Sequence, residues 1–121
     1  TTKIIELTPS NYDLKNKKIN HPALKDKKAL VLYAADWCGH CKEFSPVYDK
    51  VASILGKSFP LFFFDCVKYS DFSMNSLGIK GYPTILFIDR LGKTYKSFDG
   101  DRTENGLLTA ICTEAKVCNR K

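Results

Sequence analysis

The sequence predicts an α/β protein in which a central mixed β-sheet carries helices on both faces. Three observations predict it. Short β-prone runs alternate with helically periodic segments in the order βαβαβαββα, the pattern of layered α/β architectures. The apolar run Ala29-Leu30-Val31-Leu32-Tyr33-Ala34 leads into Cys41, Phe44, Tyr48, Val51 and Leu55, which recur at steps of three and four. A chain of 121 residues, 44% hydrophobic and 26% charged, suffices for one domain with its own core, and residues 1–121 are read as that domain.

Residues 3–7 alternate weakly and form a first strand. Thr8 and Pro9 read as the N-cap and first position of a short helix reaching about Leu14. Residues 16–28 are polar and Lys-rich, an exposed connection with room for one helical turn. The second strand is 29–34, the following helix about 38–55, and Gly56 is its stop. Residues 60–65 give the third strand, and 71–77 a short helix ended by Gly78. Gly81-Tyr82-Pro83 turns into a strand over 84–88, and Asp89-Arg90-Leu91-Gly92 into another over 94–98. Thr103 caps a last helix to about Val117.

Net charge is +6, from 19 basic and 13 acidic residues. The lysines are scattered, and no aromatic residues interleave with their small clusters as in a stacking groove. A solvated basic face is therefore expected, not a nucleic-acid site. No apolar run reaches membrane-spanning length, so no membrane association is expected. The start, Thr1-Thr2-Lys3-Ile4, has no signal-peptide pattern, and Asn119-Arg120-Lys121 is no retention ending. In a mature or excised chain neither says anything about the gene.

The chemistry concentrates in Trp37-Cys38-Gly39-His40-Cys41, where a strand ends and a helix begins. The first helical N–H groups lack partners, and the helix dipole is positive there. A thiolate at Cys38 is thereby stabilised below the roughly 8.5 of a free cysteine. Protonated His40 adds positive charge. Cys38 is the expected nucleophile. Cys41, on the buried face one turn on, is the resolving thiol that releases a mixed disulfide. Zinc would need four ligands. No second cysteine pair of this spacing exists, and His21 is the only histidine besides His40, so no metal site is expected.

Five cysteines leave three more to place. Cys66 lies just after the apolar run 59–64. Cys112 lies on the stripe Leu108, Ile111, Cys112 and Ala115, and Cys118 follows near the helix end. In a continuous helix six residues rise about 9 Å, beyond bridging distance, so a Cys112–Cys118 bridge is not expected.

Trp-Cys-Gly-His-Cys-Lys after a strand resembles the active site of protein disulfide isomerase domains in the thioredoxin superfamily. Pro46, five residues after Cys41, sits where that family kinks the active-site helix. Gly81-Tyr82-Pro83-Thr84 resembles its cis-proline loop, followed by the strand Ile85-Leu86-Phe87-Ile88. Phe98-Asp99-Gly100-Asp101-Arg102-Thr103 resembles the segment carrying a mobile arginine. The matches run from about Ile4 to Ala115.

The resemblance implies a thioredoxin fold and a CGHC redox-active center. Cys38, Cys41, His40 and Arg102 would be catalytic, with Arg102 swinging toward Cys41 to favour its thiolate. Trp37, Gly39, Tyr82 and Pro83 would contact substrate, and Phe72 would extend the apolar patch of Trp37 and Tyr82. Thioredoxins usually carry proline where His40 stands, so the oxidising, isomerase end of the family's potentials is expected. One departure stands out. The family usually buries an acid six residues before the first cysteine, where this chain has Leu32, and often a lysine where it has Phe63. The usual proton acceptor for Cys41 is missing. Asp36 adds a negative charge beside the site, which opposes thiolate formation somewhat.

The implied function is thiol–disulfide oxidoreductase on cysteine-containing polypeptides, as an enzyme of the disulfide isomerase or oxidase kind. It would act in protein folding in the endoplasmic reticulum lumen or another secretory compartment. The domain would be monomeric, need no cofactor, and exchange electrons with an upstream oxidant or reductant. Two alternatives remain at this point: a thioredoxin-like reductase, and a peptide-binding chaperone module with weak redox turnover.

Overall fold

A computed structural model describes residues 4–118. Lys3 of the first expected strand, and the ending 119–121, lie outside the described residues.

Seven strands and two α-helices follow in order: β1 Ile5–Leu7, β2 Tyr12–Asp13, β3 Lys18–Ile19, β4 Ala29–Ala34, α1 Gly39–Leu55, β5 Leu61–Asp65, β6 Thr84–Ile88, β7 Thr94–Ser97 and α2 Glu104–Ala115. Five strands form one mixed sheet in the order β1-β5-β4-β6-β7. β4 lies at its centre, parallel to β5 and antiparallel to β6. Every residue of β4 is buried, which is why it reads as a continuous apolar run and not as an alternating one.

The register sets which side chains reach which face. Leu30 and Leu32 join α1 and α2 in one core with Phe44, Tyr48, Leu107 and Ile111. Ala29, Val31 and Tyr33 point the other way, to Leu7, Phe62, Phe64 and Cys66. The first face is covered by α1 and α2. The second is covered by single turns and a small hairpin: 3-10 turns at Pro9–Asn11 and Pro22–Leu24, the β2–β3 pair, and a π-turn at Phe72–Ser76.

The helix expected over 9–14 is therefore one 3-10 turn followed by a strand. Asn11 closes that turn by accepting from Thr8 N–H at 2.9 Å. Tyr12 and Asp13 then pair with Ile19 and Lys18. The hairpin docks on the far end of the sheet through Ile19 N–H, which donates to Gly92 carbonyl at 2.9 Å. Gly92, at φ 89°, leaves no space for a Cβ against the Ile19 carbonyl.

Helix α1 is anchored from beneath. The buried Tyr48 hydroxyl lies 2.6 Å from Phe62 carbonyl and 3.2 Å from Leu30 carbonyl, so it reaches β5 and β4 at once. Pro46 sits inside α1, on its exposed side, and the helix continues to Leu55 with Gly56 as its C-cap. No helix among the described residues is long and apolar enough to cross a membrane.

The end of α2 corrects the expectation for its cysteines. Cys112 and Cys118 form a disulfide, with Cα atoms 4.5 Å apart. The helix stops at Ala115, and Lys116 adopts the left-handed conformation, φ 62°. That reversal folds the chain back on its own last turn, which a continuous helix could not do. The same end is tied to the sheet. Glu114 accepts from Lys96 Nζ at 2.7 Å and Tyr95 hydroxyl at 3.3 Å, while its carbonyl accepts from Lys28 Nζ at 2.9 Å.

Candidate active site

The central strand delivers the site. After β4 the chain turns at Ala35, whose carbonyl accepts from Cys38 N–H at 3.1 Å. Cys38 is the N-cap of α1. That position favours a side-chain acceptor for the first unpartnered N–H groups. Here sulfur takes the role: Cys41 N–H donates to Cys38 Sγ at 3.3 Å. The acceptor that caps the helix is thus the atom that would carry the thiolate charge.

Cys38 and Cys41 are both buried, 7% and 5% exposed. Exposure hardly separates them, although the helical stripe places only Cys41 on the buried face. Protonation separates them instead. Burial of Cys38 opposes ionisation. The Cys41 thiol, the backbone N–H groups of Cys41 and His40, and the Arg102 guanidinium favour its thiolate, and the balance holds Cys38 below an ordinary thiol. Burial pushes Cys41 up to about 11, helped by its thiol hydrogen bond to Cys38 and by the charges of Cys38 and Cys66.

The turn before β6 forms the other wall. Cys38 Sγ donates to Tyr82 carbonyl at 3.6 Å, and the Tyr82–Pro83 bond is cis. Thr84 hydroxyl donates to Gly81 carbonyl at 2.6 Å, closing the turn. Trp37 is 67% exposed and meets Tyr82 edge to face, ring centres 5.6 Å apart. Phe72 does not extend this patch. It packs inward on Tyr12 and Phe64 at 5.5 and 5.9 Å.

Cys38, Cys41, Trp37, Tyr82 and Pro83 are thus brought together. Gly39 and His40 occupy the first turn of α1 and are exposed. His40 Nδ1 lies 3.7 Å from Glu43 Oε1, so its imidazole leans away along the helix while its N–H favours the Cys38 thiolate. Arg102, at the approach to α2, is exposed, and its charge acts on Cys38. Cys66 is a buried free thiol, 3% exposed, whose Sγ donates to Phe64 carbonyl at 3.7 Å. No cluster of three or more His, Cys, Asp or Glu among the described residues could hold a metal ion.

Sequence reasoning missed one feature. A groove of about 570 Å³ runs between α1 and the β1 edge of the sheet, opens on Cys41, and has Leu32, Phe63 and Asp65 on its sheet side. The available signal was spacing: Asp65 is two residues beyond Phe63 in one strand, hence on the same face.

The Thioredoxin family's sequence profile matches residues 3–113. The chain is 36% identical over 114 residues to protein disulfide-isomerase A3 of Gallus gallus, an alignment covering 93% of this chain and 21% of that protein. It is 32% identical over 114 residues to the protein disulfide-isomerase A6 homolog of Drosophila melanogaster, covering 93% and 24%. The chain thus spans about a quarter or less of these relatives' length. Among solved structures, the Trx4 domain of ERdj5 superposes with a TM-score of 0.71 at 20% identity, covering 94% of this chain and 96% of that one.

Proposed function

The chain belongs to the thioredoxin family, and from that premise we propose that it is a thiol–disulfide oxidoreductase of the disulfide isomerase or oxidase kind, acting on cysteine-containing polypeptides. One observation carries the reading. The capping thiol Cys38 is held below its ordinary pKa, three residues from a thiol raised to about 11. Such a pair divides the labour of exchange.

In the reducing direction, Cys38 thiolate attacks one sulfur of a substrate disulfide. A Cys38–substrate disulfide forms, and the other substrate sulfur leaves as thiolate. Cys41 loses its proton and attacks Cys38 Sγ. The intramolecular disulfide forms, and the second substrate thiolate leaves. Oxidation of a substrate dithiol runs the same steps backward. In isomerisation a different cysteine thiolate of the substrate attacks the substrate sulfur of the mixed disulfide before Cys41 acts, so a new substrate disulfide forms and Cys38 leaves as thiolate.

The remaining roles follow from position. Trp37 and Tyr82 offer an apolar platform beside Cys38, and Gly39 leaves the helix start open, with nothing within 4 Å of where a Cβ would stand. Tyr82 and Pro83 form the cis turn beside Cys38, along which an extended polypeptide would lie. His40 and Arg102 favour the Cys38 thiolate. Residues 1–121 act as one domain and as a monomer, with a separate oxidant or reductant resetting the pair. The Cys112–Cys118 disulfide supports an oxidising compartment, the endoplasmic reticulum lumen or another part of the secretory route.

Equilibration of the Cys38–Cys41 pair with glutathione tests the direction. A potential near the roughly −180 mV of disulfide isomerase is expected, and one near −270 mV would assign a reductase. Recovery of activity from scrambled ribonuclease tests turnover. No recovery would leave a peptide-binding module.

A further inference from the structure

The reaction proposed above requires Cys41 to lose a proton from a buried site, and the way out is visible. Leu32 and Ala34 of β4 pair with Phe63 and Asp65 of β5, and all four line the groove that reaches Cys41. A groove of about 570 Å³ holds several waters at roughly 30 Å³ each. Leu32, Ala34 and Phe63 on its floor offer no proton relay, so a proton crossing it must travel on water.

The charged groups around it are few. β1 contributes Glu6, the turn before Cys38 contributes Asp36, α1 contributes Lys42 and Asp49, and β5 contributes Asp65. Glu6, Asp36 and Asp49 are exposed on the rim, whereas Asp65 is half-buried on the floor. Asp65 stands directly across from Ala34, the last residue of β4 before the active-site turn. Its carboxylate is fixed, since Oδ1 accepts from Val67 N–H at 2.9 Å and Lys68 N–H at 3.1 Å. The other groups facing Cys41 are poor bases: Tyr48 hydroxyl is committed to the Phe62 and Leu30 carbonyls, and Cys66 is itself a buried thiol.

We infer that Asp65, acting through water in this groove, is the positioning base that takes the Cys41 proton, in place of a carboxylate at Leu32. The balance is simple. Cys41 S–H gives its proton through water to the Asp65 carboxylate. Cys41 sulfur bonds to Cys38 Sγ, the Cys38–substrate bond breaks, and the substrate thiolate leaves. Asp65 then returns the proton through the groove to solvent or to the departing thiolate.

The inference rests on the exchange function, and one experiment separates the two. Reduced protein is mixed with one equivalent of dithiobis(nitrobenzoate) in a stopped-flow instrument, from pH 6 upward. The first thionitrobenzoate released reports attack by Cys38; the second reports resolution by Cys41. Wild type should resolve at a rate nearly level through neutral pH. Asp65→Asn keeps an acceptor for the two backbone N–H groups, and should leave the first release unchanged. It should slow the second about a hundredfold near pH 7, the scale of lost general-base catalysis. Its rate should then climb about tenfold per pH unit, as the Cys41 thiolate fraction grows below its pKa of about 11, and reach the wild-type level about two units higher. Asp49→Asn, on the rim, should match wild type. Should Asp65→Asn fail to fold, Ser45→Phe, which fills the groove from the exposed face of α1, should impose the same steep pH dependence. A steep wild-type profile, or an unchanged profile in the folded variants, overturns the proton route while leaving the function standing. Absence of the first release in wild type overturns both.

Discussion

Two cysteine pairs stand at opposite ends of two helices. Cys38 and Cys41 bracket the start of α1, and Cys112 and Cys118 bracket the end of α2. At a helix start, N–H groups converge and the dipole is positive, so a thiolate is stabilised and the dithiol form is favoured. At a helix end the carbonyls converge and the dipole is negative. A thiolate there is disfavoured, which slows exchange and preserves a disulfide once made. Three-residue spacing keeps the first pair adjacent in an intact helix. Six-residue spacing brings the second pair together only because Lys116 reverses the chain. One pair is placed to react and the other to hold.

The largest effect should come from removing the reactive sulfur. Cys38→Ser should reduce scrambled-ribonuclease refolding and glutathione exchange to the uncatalysed background. Cys112→Ser with Cys118→Ser should leave both rates unchanged. Activity lost on the second substitution and kept on the first would reverse the assignment of roles.

Next comes stability. A bridge closing so short a loop should stabilise the fold by about 2 kcal/mol in the chain-entropy account. Urea unfolding of the Cys112→Ser, Cys118→Ser protein should show a loss of that size. The Lys28, Tyr95 and Lys96 bonds to Glu114 hold the same end of α2, so the loss should stay near that scale. An unchanged midpoint would mean that these bonds alone fix the end.

The two pairs also differ in how far the sequence revealed them. Cys38 and Cys41 were legible because local signals agree: an apolar strand, a helical stripe and a capping position. Strand β6, and the Thr103 cap whose hydroxyl accepts from Gly106 N–H at 3.0 Å, were legible for the same reason. The second bridge was not. Lys116 carries no glycine-like mark of a left-handed residue, so the stripe alone predicts a helix that runs on. The β2–β3 hairpin was hidden likewise. Two-residue strands show no period, and side-chain bonds of Asn11 and Asp13 hold the turns. The groove beside Cys41 was half legible. The apolar residues at 32 and 63 were plain, but the space they leave, and Asp65 on its floor, exist only once β4 and β5 are in register.

A smaller effect probes how the α1 start stabilises charge. His40→Pro removes the N–H that favours the Cys38 thiolate, because proline has none. The potential of the pair should become about 30 mV more negative, one tenfold step in the exchange constant. His40→Ala keeps the N–H and should shift the potential less. Equal shifts in the two variants would place the effect in the imidazole charge.

The smallest effect should come from Arg102. Its guanidinium is exposed and favours the Cys38 thiolate at a distance, so the interaction is screened by solvent and salt. Arg102→Ala should therefore raise the Cys38 pKa slightly and slow its alkylation by iodoacetamide near neutral pH by roughly two- to fivefold, the scale of an exposed ion pair. The sign follows from the lowered pKa. Below it Cys38 is a thiol in both proteins and alkylates slowly. Above it both are thiolates and the rates converge. Only between does the lost cation change the reactive fraction. Adding about 1 M salt, where the screening length is about 3 Å, should abolish the difference. Were Arg102 to act on Cys41 in exchange, as the family resemblance implied, Arg102→Ala would slow the second thionitrobenzoate release and leave alkylation of Cys38 untouched. The two assays thus locate the arginine's charge on one sulfur or the other. A difference that survives high salt would mean that the guanidinium reaches its sulfur directly.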